Sequence, residues 1–214
     1  MHSIALPVAA AALRAGGCVV YPTETFFALG ALATEAAALA RVVAVKARPA
    51  TKPLPLLVGG LDQLSGVVRE DFLDGPLGGD FRELAALFWP GPLSLVVPCR
   101  EALPGLVKDG RGFVSLRFTP HPTAAALCRL AGGAVVATSA NVSGASPAAD
   151  VADLDAAVVA ASDGLVAEGP APGGGLASTV AGLLGGRRLR IFRQGATALA
   201  ALRAAGYEPC LPQT

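Results

Sequence analysis

The chain has 214 residues, 53% apolar and 15% charged, with a formal net charge of +1. That length can bury a sizeable core, and that composition excludes a disordered polymer. The near-balance of charge excludes bulk attraction to nucleic acid, so any phosphate or RNA contact must come from local cations.

In chain order, Ile4 to Leu13 reads as a first helix. It is not the apolar part of a signal peptide: no basic segment precedes it, it contains Pro7, and Arg14-Ala15-Gly16-Gly17 closes it. Cys18 to Tyr21 is a short strand ending at Pro22, Thr23 to Ala33 a loop, and Thr34 the N-cap of a helix from about Glu35 to Lys46. Pro53 to Val58 reads as a buried strand, Leu61 to Val68 as a short helix, and residues 69–80 as a surface loop. A helix over Phe81 to Phe88 is stopped by Trp89-Pro90-Gly91-Pro92, a rigid corner with an aromatic plug.

Leu93 to Pro98 and Phe113 to Phe118 are predicted strands, His121 to Leu130 a helix with Pro122 in its first turn, and Ala134 to Thr138 another strand. The looser stretch 145–175 holds one helix near Val151 to Ala161. Ser178 to Leu183 and Arg188 to Arg193 pair as a hairpin around Gly185-Gly186, and a helix over Ala196 to Ala205 closes the chain. With no repeat and no linker, residues 1–214 read as one α/β domain with a twisted, mixed β-sheet flanked by helices. No stretch approaches the roughly 20 apolar residues of a membrane span, so a soluble protein is expected.

Cys18, Cys99, Cys128 and Cys210 form no C-x-x-C pair, which suits reduced thiols in a cytoplasm and argues against a metal site. Cys18 and Cys128 read as core residues. Phosphate-loop, dinucleotide, metalloprotease and nucleophile-elbow motifs are all absent. His121, the one internal histidine, reads as a contact to a polar loop.

Polar residues instead cluster just after predicted strands, where open α/β sheets bind ligands. They are Tyr21-Pro22-Thr23-Glu24-Thr25, the cations Lys46, Arg48 and Lys52, Arg117, the run Ser139-Ala140-Asn141-Val142-Ser143-Gly144, Ser178-Thr179 and Arg193-Gln194-Gly195. Read singly, each has a plain alternative. Lys46 and Arg48 suit the negative end of the preceding helix, the Ser-Asn-Gly run suits a turn, and Arg117 suits a solvated strand end.

Taken together, Y-P-T-E-T (21–25), K-A-R-P (46–49), W-P-G-P-L-S (89–94), S-L-R-F (115–118), H-P (121–122), S-A-N-V-S-G (139–144) and R-Q-G (193–195) resemble the threonylcarbamoyl-AMP synthase family. The strings are collinear and span about residues 10 to 200, as in the short, single-domain form of that family. The resemblance implies a YrdC-like fold with a concave, positively lined groove. It also implies a reaction joining L-threonine, bicarbonate or CO2, and ATP into threonylcarbamoyl-adenylate and diphosphate, with Mg2+ accompanying ATP. A partner complex would then move the threonylcarbamoyl group to an adenosine of tRNAs that read codons starting with A.

By the same resemblance Lys46, Arg48, Lys52, Asn141, Ser143 and Arg193 should face ATP, with Lys46 and Arg48 catalytic. Thr25, Arg117, Ser139 and Ser178 should surround threonine, Arg117 pairing its carboxylate. Alanine at Arg48 or Arg117 should then cost far more activity than stability. The chain departs from the family pattern at Phe27, Ala28, Leu57, Ala148 and Ala177. Two other readings compete: an RNA-binding module making a weak RNA contact, and a carbamoyl-adenylate-forming relative with another acceptor amine. The near-neutral charge and 5% aromatic content speak against the first.

Overall fold

The computed structural model describes residues 3–211. Helix α1 (Leu6–Arg14) carries Pro7 in its first turn and ends where Gly16, at φ +80°, turns the chain into strand β1 (Val19–Pro22). The Thr23 hydroxyl donates to the Phe26 carbonyl (2.7 Å) and pins a tight turn into β2 (Phe27–Gly30). A strand thus lies inside the stretch expected to be a loop. Its four residues are all buried, so Phe-Ala-Leu-Gly carries no alternation to betray it.

Helix α2 (Ala36–Val45) is preceded by Glu35, and Thr34 donates its hydroxyl to the Glu35 carboxylate, so the expected Thr34 cap does not form. At its far end the Ala47 N–H bonds the Ala44 carbonyl and the Arg48 N–H bonds the Val43 carbonyl, a Schellman closure. That closure requires a left-handed residue, and here it is Ala47 at φ +46°, not a glycine. Left-handed backbone costs a non-glycine residue about 1–2 kcal/mol, part of which glycine's extra chain entropy offsets. Ala47→Gly is therefore expected to stabilise the fold by roughly 0.5–1 kcal/mol, read as a higher urea midpoint at unchanged slope.

Strand β3 (Leu56–Val58) is shorter than expected, because Pro53 and Pro55 lack the N–H a ladder needs. A 3-10 turn over Leu61–Gly66 follows. The expected loop at 69–80 contains α3 (Glu70–Asp74), whose two leading acids suit a helix N-terminus. Helix α4 (Gly78–Phe88) begins three residues before the expected Phe81. Trp89 then plugs the corner: its indole donates to the Leu93 carbonyl (2.7 Å) and its ring meets Phe81 edge-on.

Strands β4 (Leu93–Pro98) and β5 (Phe113–Phe118) fall where expected. Helix α5 (Pro122–Ala131) has His121 as its N-cap and Gly132 as its left-handed C-cap. The single strand expected over Ala134 to Thr138 is instead two, β6 (Val135–Val136) and β7 (Thr138–Ser139), in different sheets. The helix expected near Val151 to Ala161 breaks into a 3-10 turn at Val151–Asp153 and α6 (Ala156–Ala160), each capped by its own aspartate, Asp150 and Asp155. Strands β8 (Thr179–Gly185) and β9 (Arg188–Arg193) form the expected hairpin. Helix α7 (Leu199–Ala204) leads to an unanticipated strand, β10 (Glu208–Cys210), parallel to β9.

The strands form a seven-stranded mixed sheet, β10-β9-β8-β4-β5-β3-β6, and a three-stranded antiparallel sheet, β1-β2-β7. Residues 135–139 carry the chain from one sheet to the other, the Ala137 N–H bonding the Pro55 carbonyl between them. Two apolar layers follow from strand alternation. Val20, Leu56 and Val58 point into the larger layer, with Phe81, Leu95 and Leu116. Val19, Tyr21 and Leu57 point the other way, against Ala9, Ala124 and Cys128 of helices α1 and α5. Cys18 and Cys128 are core residues, as their apolar neighbours predict. Among the described residues no helix is long and apolar enough to cross a membrane.

Candidate active site

The two sheets enclose a cavity of about 310 Å3, at the small end of ligand pockets. Its floor comes from the seven-stranded sheet. Ser115 and Arg117 are two residues apart on β5 and so share a face, Ser94 opens β4, and Ser178 precedes β8. Thr25 and Ser139 close it from the smaller sheet, while Arg48 and Arg193 stand at its sides.

Six of the ten residues singled out from the sequence line this cavity: Thr25, Arg48, Arg117, Ser139, Ser178 and Arg193. The other four do not. Lys46 is 2% exposed, and its ammonium donates to the carbonyls of Ser139 and Asn141, tying down the loop that carries them. Lys52 is exposed and offers its carbonyl, not its amine, to Arg48 (2.9 Å). Asn141 donates its amide to the Val142 and Ala145 carbonyls (2.8 and 2.7 Å), and its side-chain oxygen is buried without a partner. Ser143 is exposed, its N–H bonded to the Lys46 carbonyl.

The guanidiniums are fixed in different ways. Arg48 donates to the carbonyls of Lys52 and Pro53, both at 2.9 Å. Arg193 donates through Nε and Nη2 to the Ser178 carbonyl (3.0 and 2.8 Å), and through Nη2 to the Ser178 hydroxyl (3.0 Å), which also meets that of Ser94 at 3.0 Å. Arg117, 5% exposed, contacts the Glu24 carboxylate at 2.6 Å, so the expected solvated strand end is instead a buried ion pair. That contact is close but poorly aimed: Arg117 Nη1 and Glu24 Oε1 both lack a directed hydrogen bond. Burial pushes the Arg117 guanidinium below its usual value, and Glu24 pulls it back. Desolvation also lowers Arg193, whose guanidinium end turns onto Ser178, and the charges of Arg117 and Arg48 lower it further. Three guanidiniums on one cavity, with Arg117 and Arg48 both acting on Arg193, make it a receptor for anions.

Burial, then the neighbouring Arg48 charge, lowers Lys46 to about 8 from an ordinary 10.5. The unfolded chain therefore binds this proton more tightly. The penalty is fully present below pH 8 and disappears as pH rises toward 10.5. Folding stability is expected to climb over that window relative to Lys46→Met, which keeps the stem and has no proton to lose. Urea midpoints of the two proteins against pH read the difference.

Among the described residues no cysteine lines this cavity. Burial pushes the Cys128 thiol up to about 12 and keeps it protonated. His121 points Nε2 at the Pro170 carbonyl (3.0 Å), the loop contact expected of it. Sequence reasoning missed Ser94 and Ser115 as cavity residues, although both sit in motifs it quoted. The Ser115 hydroxyl is buried, lines the cavity and has no partner, as a ligand contact would. Two-residue spacing from Arg117 was the available signal.

Comparison with known proteins fits this geometry. The family model Sua5_yciO_yrdC, which carries the description "Telomere recombination", matches residues 11–195. The chain is 42% identical over 146 residues to the threonylcarbamoyl-AMP synthase of Halorhodospira halophila, covering 68% of this chain and 73% of that one. It superposes on P. abyssi Sua5 complexed with L-threonine with a TM-score of 0.82 at 29% identity; the match covers 96% of this chain and 58% of that longer one. E. coli YciO has the same fold, with a TM-score of 0.74 at 21% identity and 92% of each chain covered.

Proposed function

The chain belongs to the Sua5/YciO/YrdC family, and from that membership we propose that it is a threonylcarbamoyl-AMP synthase. One observation carries the reading within the molecule. Arg48, Arg117 and Arg193 converge with the hydroxyls of Ser94, Ser115 and Ser178 on one cavity between the sheets. Such a site can hold an amino-acid carboxylate beside a polyphosphate.

In the proposed reaction the amine of L-threonine adds to CO2, or to bicarbonate with loss of water, giving a carbamate. A carbamate oxygen then attacks the α-phosphorus of ATP, and the bond to diphosphate breaks. No enzyme nucleophile is required. The work is to bring two anions together and to stabilise charge as it moves onto the leaving diphosphate. Arg48 and Arg193 are assigned to the phosphates, with Lys52, Asn141 and Ser143 toward the nucleotide. Arg117 is assigned to the threonine carboxylate, with Thr25, Ser139 and Ser178 around it. Lys46 contributes by holding the loop that carries Ser139 and Asn141, in place of the direct catalytic contact the resemblance implies, because its ammonium is already engaged by two carbonyls.

Mg2+ is proposed to enter with ATP as part of the substrate, bound chiefly by its phosphates. The product is a mixed anhydride, and the proposal places this chain in the cytoplasm, upstream of the complex that transfers the group to tRNA. The test incubates the protein with ATP, Mg2+, L-threonine and bicarbonate, following diphosphate and the adenylate by mass spectrometry. Diphosphate that needs both threonine and bicarbonate supports the reading. ATP binding without that dependence points to another acceptor amine, and RNA binding without ATP binding to the RNA-binding module.

A further inference from the structure

Glu24 lies in the Y-P-T-E-T string but was not among the residues expected to act, and among the described residues it is the carboxylate that forms a salt bridge with an arginine of the cavity. Its surroundings are built to fix it. The Thr23 hydroxyl accepts from the N–H groups of Thr25 and Phe26 (both 3.3 Å) while donating to the Phe26 carbonyl, so the turn that aims Glu24 is locked from within. The Glu24 carbonyl accepts from the Gly173 N–H. On the carboxylate, Oε2 accepts from the Thr119 hydroxyl at 2.7 Å. The same hydroxyl accepts from the His121 N–H (3.1 Å), so both its proton and a lone pair are engaged. The other oxygen, Oε1, faces Arg117 Nη1 at 2.6 Å.

Glu24 does not line the cavity, whereas Arg117 does. The carboxylate therefore stands behind the guanidinium and holds its Nη1 corner by charge at close range, without a directed hydrogen bond between them. We propose that Glu24 is a positioning residue: it fixes the plane of Arg117 so that the remaining donor edge faces the cavity and receives the substrate carboxylate. This rests on the assignment of Arg117 to threonine made above. A planar fork recognises a carboxylate only when its plane is set, so a rotating guanidinium forfeits much of the paired contact. Glu24 also offsets the charge of Arg117, the buried one of the three arginines, which eases its burial.

The test has two arms. In Glu24→Gln the side chain keeps its length, but an amide N–H opposes Nη1 or the acceptor charge is lost. The first arm follows the Arg117 guanidinium by 15N NMR, assigned with Arg117→Lys. Resolved, slowly rotating Nη signals are expected in the wild type and averaged ones in Glu24→Gln, whatever the substrate proves to be. The second arm is kinetic: KM for threonine should rise about tenfold, with KM for ATP and kcat within about twofold. A merely structural Glu24 would lower apparent kcat with the folded fraction and leave both KM values alone. Thr119→Val, which frees Oε2 without touching Arg117, should move KM for threonine in the same direction and serves if Glu24→Gln folds poorly. Averaged Arg117 signals already in the wild type, or an unmoved KM for threonine in both variants, would overturn the proposal. If the wild type makes no adenylate from threonine, the functional assignment fails while the NMR arm still decides the role of Glu24.

Discussion

Replacing Arg117 with alanine is expected to lower diphosphate release by about 100-fold or more and to cost about 3–5 kcal/mol of folding stability. The sequence points to the first effect and away from the second, because a strand-end arginine reads as solvated. The structure reverses that. Arg117 is 5% exposed and its partner Glu24 is held by Thr119 in a part-buried site. Deleting the guanidinium leaves a carboxylate desolvated and unpaired, and the cost of that orphan exceeds the net worth of the intact pair. The double variant Glu24→Gln with Arg117→Ala separates the effects. It removes the orphaned charge, so urea unfolding should return much of the lost stability. Activity should stay lost, because the carboxylate-binding edge is still missing. If the single variant is as stable as the wild type, the pair is solvated in solution.

Much of this arrangement was legible and some of it could not be. Arg48, Arg117, Arg193, Thr25, Ser139 and Ser178 were legible from the collinear order of their strings, since each alone also suits a helix end, a turn or a strand end. What escaped are pairings set by the fold. The Lys46 ammonium reaches the Ser139 and Asn141 carbonyls, more than 90 residues away in sequence, and nothing local distinguishes it from Arg48. Glu24 was passed over inside a quoted motif because its partner is 93 residues on. The stretch Ala-Val-Val-Ala-Thr reads as one strand because it is short and apolar with β-branched Val135, Val136 and Thr138 and no glycine or proline to break it. It divides between two sheets because Ala137 is claimed by the Pro55 carbonyl. Strand β10 was missed for a related reason. Glu-Pro-Cys has no β-pattern of its own and pairs only because β9 presents an edge.

Arg48 should behave in the opposite way to Arg117, and the contrast tests the whole assignment. Arg48→Ala is expected to lower kcat/KM for ATP by about 100-fold while shifting stability by no more than about 1 kcal/mol. Its guanidinium is partly exposed and donates only to the Lys52 and Pro53 carbonyls, which lie on a surface loop that water can reach once the side chain is gone. No carboxylate is orphaned, because the salt bridges among the described residues leave Arg48 out. Its position is set by backbone, through the left-handed Ala47 that closes α2 and swings the next residue toward the cavity. Arg48→Lys should restore little. A single ammonium cannot hold both carbonyls and still present a paired donor edge to a phosphate. A lysine variant near wild-type rates would mean that Arg48 acts as a point charge, and the phosphate contacts would then have to be reassigned to Arg193.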